Sequence, residues 1–117
     1  MGKSITYNKL VRDFIPEIVK EDGMRAEVKI LDDIDYVKAL NEKLVEEAKE
    51  LVNAPDENAI KNEIIDLYEV LYAMEKFHGF RHSELIDLQE KKRNERGGFK
   101  KKIFLIKTDP IEEEDID

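Results

Sequence analysis

Five acidic residues in two short phrases, Glu46-Glu47-Ala48-Lys49-Glu50 and Glu63-Ile64-Ile65-Asp66, are spaced to act together. Residues three apart share a helix face, so Glu47 with Glu50, and Glu63 with Asp66, each present an edge of paired oxygens. When two helices carrying such edges pack antiparallel, the edges meet, and four converging carboxylates repel one another unless a cation sits between them. Oxygen donors without His or Cys select Mg²⁺ or Mn²⁺ and leave positions open for water and phosphate oxygens.

With 28 acidic residues among 117, such a pattern alone arises easily by chance, and placement carries the argument. At about 100° per residue, Glu63 projects between Val70 and Met74, inside the apolar arc of its helix, while Glu47 borders Leu40 and Leu51. Acids meant only for solvation belong on the opposite face. An inward carboxylate must be paired, protonated or metal-bound, and no Lys or Arg falls at the matching inward position of either helix. Glu42, Lys43, Glu57, Lys61 and Glu69 read as solvated helix surface.

An anionic substrate would complement a metal cluster, and basic residues occur near both ends. Lys9 and Arg12 precede the first helix, and Lys91, Lys92, Arg93 and Arg96 close the last one before Gly97-Gly98. Arg96 suits bidentate phosphate contact and the glycines allow close backbone approach, although basic residues in a last turn also complement the helix dipole. Gly2-Lys3-Ser4 lacks the upstream glycine of a phosphate-binding loop, and no GxGxxG occurs. His78 and His82 are interrupted by Gly79 and lack a third ligand, so they read as loop residues. Tyr68 and Tyr72 read as core residues with polar tips that can also flank a nucleobase.

The elements that must position these groups are mostly helical. Pro16 suits the first turn of a short helix reaching about Glu21, ended by Asp22-Gly23. Val37, Leu40, Leu44, Ala48 and Leu51 recur at helical spacing from about Asp35 to Asn53, where Ala54-Pro55-Asp56 breaks the run and Asp56 caps the next helix. That helix runs to about His78, with Ile60, Ile64, Leu67, Tyr68, Leu71 and Met74 on one side and Gly79 at its end. Ser83 is placed to cap a last helix carrying Leu85, Ile86 and Leu88. Ala26 to Leu31 and Ile103 to Lys107 read as strands able to pair. The fold expected is therefore mainly α: an antiparallel helical bundle built on two long helices, with a small two-stranded β ribbon, as a single domain over residues 1–110. The acidic tail over residues 111–117 is expected to remain disordered.

Composition sets the outer bounds. The absence of Cys excludes disulfide scaffolds, thiolate zinc sites and cysteine nucleophiles, and fits a cytoplasmic location. The longest apolar run, Val70 to Met74, is far short of a membrane span, and no secretion leader follows Met1. Met1-Gly2-Lys3-Ser4-Ile5-Thr6 fits the myristoylation pattern only loosely. A net charge of −8 favours divalent cations over nucleic acid as partners. The amphipathic stripes leave an apolar surplus that a second copy could cover.

Beyond these readings, Tyr7-Asn8-Lys9-Leu10-Val11-Arg12-Asp13-Phe14-Ile15-Pro16-Glu17-Ile18, the EExxE and ExxD phrases, and Arg96-Gly97-Gly98-Phe99 together resemble the small MazG-like, phosphoribosyl-ATP pyrophosphohydrolase-like members of the all-α nucleoside triphosphate pyrophosphatase superfamily. The resemblance covers about Tyr7 to Lys107. It implies an Mg²⁺-dependent hydrolase that cleaves between the α and β phosphates of a nucleotide, giving a monophosphate and pyrophosphate, and that clears non-standard nucleotides. The metal ligands it implies are Glu47, Glu50, Glu63 and Asp66, with Glu46 as an added ligand or water-orienting base. Phosphate contacts would fall to Lys91, Asn94 and Arg96 on the last helix, and assembly would be a homodimer or homotetramer.

Two other function classes fit the same residues. A non-catalytic nucleotide or metal sensor would bind at the carboxylates without turnover. A nucleic-acid-binding module would use the basic tract from Lys91 to Lys102 against the −8 background, and would bind with a steep salt dependence.

Overall fold

The computed structural model describes residues 2–112, which form four α-helices and no β-strand. The helices are α1 (Ile15–Glu21), α2 (Asp33–Val52), α3 (Glu57–His78) and α4 (His82–Arg96). The chain divides between His82 and Ser83 into two compact units, the first holding α1 to α3 and the second most of α4 with the segment that follows. Of the acidic tail, residues 113–117 lie outside the described residues.

Local chemistry sets the helix ends. Pro16 occupies the first turn of α1, where no backbone donor is required, and Gly23 turns the chain away at φ 83°. Asp32 caps α2 by accepting from the Asp35 amide at 2.8 Å, so this helix starts two residues earlier than its apolar periodicity implies. Asp56 caps α3 in the same way through the Ala59 amide at 2.8 Å. Gly79 closes α3 at φ 72°, with the Phe80 amide donating back to the Glu75 carbonyl at 2.9 Å. The last helix departs from expectation: it begins at His82, so Ser83 lies inside its first turn and is not its cap.

The extensive helix-to-helix packing is α2 against α3. The short connection makes the two antiparallel, and edge-to-face contact of Tyr36 near the start of α2 with Phe77 near the end of α3, at 5.8 Å between centroids, shows that the pairing spans both helices. Leu40, 3% exposed, and Val70, 7% exposed, are its buried apolar side chains. Val37, Leu44, Ala48 and Leu51 of α2 and Ile64, Leu67 and Met74 of α3 are half-buried around them. Tyr68 and Tyr72 are exposed, and so are Ile60 and Leu71, although these two share the helix face of half-buried Ile64 and Leu67.

The expected ribbon does not form. Ala26 to Leu31 and Ile103 to Lys107 have no strand pairing among the described residues, and Ile30, Ile103 and Phe104 are exposed. Alternating and β-branched residues favour extended backbone, but a strand exists only once its amides find a partner, and an isolated two-stranded ribbon is marginal in water.

Candidate metal centre

The carboxylates lie at mid-length of the α2/α3 pair. EExxE sits about two turns beyond buried Leu40 on α2, and ExxD sits about two turns before buried Val70 on α3, so antiparallel packing brings them opposite one another. Two groups of potential ligand oxygens result, each with its members within 4.8 Å of one another: Glu46, Glu47 and Glu50, and Glu47, Glu63 and Asp66. Glu47 belongs to both. Every carboxylate proposed from the sequence is thus brought into a single cluster.

Glu47 is the most deeply placed of the five, at 5% exposure, buried as completely as the apolar core. Its Oε2 is enclosed and has no hydrogen-bond partner, and the same holds for Glu63 Oε2. Native proteins almost always pair such atoms, so two unpartnered oxygens in one cluster call for a shared proton or a bound cation. Glu63 is pushed up to about 7, by its enclosure first and then by the facing carboxylates of Glu47 and Glu50, which favour a shared proton and repel a further negative charge.

Cations do approach the cluster, in a way the helical pattern does not reveal. Lys43 reaches Glu46 Oε2 and Glu47 Oε1, each at 3.5 Å, and is well covered, so it is an inward partner and not solvated surface. The signal was present in its spacing, three and four residues before the two acids. Lys9 Nζ donates to Glu46 Oε1 at 3.0 Å, and Arg12 Nη2 to Asp66 Oδ1 at 2.8 Å. Burial pushes the Glu46 carboxyl up, but the hydrogen bond from Lys9 and the charge of Lys43 outweigh it and hold it below its ordinary value. That same hydrogen bond to Glu46 raises Lys9.

Lys91, Asn94 and Arg96 are exposed on α4 within the second unit, where Lys91 is 4.0 Å from Glu95. His78 ends α3 and His82 begins α4, so neither is a loop residue. His82 Nδ1 lies 3.0 Å from Glu75 Oε1, and neither histidine joins a ligand group among the described residues. Tyr68 and Tyr72 are exposed, with Lys76 Nζ 5.3 Å from the Tyr72 ring centroid.

The five carboxylates, two of them with an oxygen lacking a hydrogen-bond partner, form an all-oxygen donor set of the kind that could hold a divalent cation. No helix among the described residues is long and apolar enough to cross a membrane. Comparison with protein-family models, with curated proteins and with solved structures returns no match, so the functional reading rests on the geometry of this cluster and on the sequence phrases around it.

Proposed function

We propose that this chain is a divalent-cation-dependent nucleoside triphosphate pyrophosphohydrolase, cleaving the α-β phosphoanhydride to release a nucleoside monophosphate and pyrophosphate. The observation that carries the reading is Glu47: a buried carboxylate with an unpartnered oxygen at the shared corner of two carboxylate groups. Such an atom is disfavoured in a structural ion pair and expected in a metal ligand. The resemblance of the Tyr7–Ile18 phrase and the EExxE and ExxD phrases to MazG-like pyrophosphatases supplies the reaction class.

In this reading Glu47, Glu50, Glu63 and Asp66 hold Mg²⁺, or Mn²⁺ in its place, which supplies neutralisation of phosphate charge and acidification of a bound water. Glu46, at the edge of the cluster and more open than Glu47, is placed to orient the attacking water and take its proton. Lys9 and Arg12 stand at the same edge, and once a metal takes over the acids their positive charges are available to a triphosphate. Removal of non-standard nucleotides in the cytoplasm is the role this chemistry suits. Assembly as a homodimer or homotetramer belongs to the same proposal, supported by the exposed Tyr68, Leu71 and Tyr72 on α3.

The test is pyrophosphate release from a panel of standard and modified ribo- and deoxyribonucleoside triphosphates with Mg²⁺, with Mn²⁺ and with chelator. Release that requires metal, and that Glu63→Gln abolishes while helical content is kept, is the expected result. Metal and nucleotide binding without release would replace the hydrolase with a sensor.

A further inference from the structure

The two N-terminal cations do more than sit near the cluster, because each closes one half of it. Lys9 bonds Glu46 of the first carboxylate group, on α2, and Arg12 bonds Asp66 of the second, on α3. A segment of four residues therefore bridges the two helices across the acids. Asn8, immediately before it, turns the chain at φ 47°, a conformation that Asn tolerates better than most residues.

Resting on the metal reading above, we propose that this segment is a strap whose cations stand in for the metal, closing the carboxylate cluster of the metal-free protein and letting go when a divalent cation binds. The attachment is suited to release. Among the described residues no backbone hydrogen bond ties residues 2–11 to either long helix, and the first one downstream, from the Ile15 amide to the Arg12 carbonyl, lies within the approach to α1. Both ion pairs are partly open to solvent, where such pairs hold weakly. Arg12 holds Asp66, one of the four carboxylates assigned to the metal, and Lys9 holds Glu46 beside them, so an arriving Mg²⁺, which brings the same two positive charges to the Glu47 corner, competes with the strap at Asp66 and through its charge. Lys43 is different: it is rooted in α2 itself and stays beside Glu46 and Glu47 whatever the strap does. A static brace would instead hold α2 to α3 in both states and assist metal binding.

The chain has no Cys, so Thr6→Cys creates a single attachment point for a nitroxide on an exposed residue three positions before the strap. The full chain so labelled is titrated with Mg²⁺, and Mg²⁺ affinity is measured in parallel by calorimetry. The label is expected to gain mobility along the same curve as Mg²⁺ binding. In the Lys9→Met, Arg12→Met double variant the label should be mobile without metal, and the Mg²⁺ dissociation constant should fall about threefold to tenfold because the competing charges are gone. A label that stays immobile as Mg²⁺ saturates the protein, or a double variant that binds Mg²⁺ more weakly, overturns the strap and leaves the metal site standing. Absence of Mg²⁺ binding in both proteins overturns the metal reading and the strap together.

Discussion

Glu47→Gln separates a metal ligand from a structural acid by the sign of its effect on stability. The substitution keeps the shape of the side chain and removes a charge that is 5% exposed, with one oxygen lacking any partner. The Gln amide nitrogen can donate to the facing carboxylates of Glu63 and Asp66 where a carboxylate oxygen could not, and relief of a buried unsatisfied group in this way is worth about 1–3 kcal/mol. Against this stands the loss of the contact with Lys43 at 3.5 Å, a within-helix pair worth about 0.5 kcal/mol, and Lys43 keeps Glu46 as a partner. The net expectation in chelator is stabilisation by about 0.5–2.5 kcal/mol, a rise in Tm of about 3–10 °C for a chain of this length. Saturating Mg²⁺ should reverse the order: the wild type gains stability in proportion to the logarithm of free Mg²⁺ over Kd, and the variant gains little. Thermal unfolding followed by circular dichroism, with chelator and with a Mg²⁺ series, reads both effects. A variant less stable than wild type in chelator would refute the reasoning, since Glu47 would then be held by the fold for the fold's own sake.

Glu63, raised to about 7 from 4.5, holds its proton more tightly in the folded chain than in the unfolded one, so its contribution to stability is full below about pH 4.5 and is lost as pH rises through about 7. Comparing urea unfolding of the metal-free wild type and Glu63→Gln across that window should show the wild type losing ground with rising pH, while Mg²⁺ affinity, which requires the proton to leave, should rise over the same range. Leu40→Ala removes one of the two buried apolar side chains and should lower stability by about 2–5 kcal/mol, read as a fall in urea midpoint with helix content lost cooperatively. Asp56→Ala removes the bond to the Ala59 amide and should cost about 1 kcal/mol by the same measurement, leaving the cluster's Mg²⁺ affinity unchanged once the protein is folded.

What was legible in the sequence is what helical periodicity governs. The two long helices, the Asp56 cap, the Gly79 terminus and the inward bearing of Glu47 and Glu63 all follow from residues within a few turns of one another. Lys43 also lay within that range, but a long side chain can reach an acid three or four residues on from a position that looks solvated, so the wheel alone misplaces it. The bonds of Lys9 to Glu46 and of Arg12 to Asp66 join segments far apart in the chain, and no periodicity connects an irregular segment to a helix face. The absent ribbon fails for a related reason: Ile103 to Lys107 has the composition of a strand, but pairing is a tertiary event that alternation cannot specify.

The arrangement of charge around Glu47 also limits what can complete the site. Lys43 approaches Oε1, while Lys9 and Arg12 are committed to Glu46 and Asp66, so none of these cations reaches Oε2. Glu63 presents a second orphaned oxygen within the same ligand group. Enclosure first, and then the facing carboxylates, hold a proton on Glu63 up to about 7, but one proton cannot serve oxygens on both helices together with Asp66. A divalent cation can, because it accepts several oxygens at once and carries the charge to offset them. In the proposed function, proton and metal would be alternative occupants of one donor set, and Mg²⁺ affinity would depend on pH through that exchange. An affinity flat from pH 5 to pH 8 would mean that bound Mg²⁺ lies elsewhere on this acidic chain.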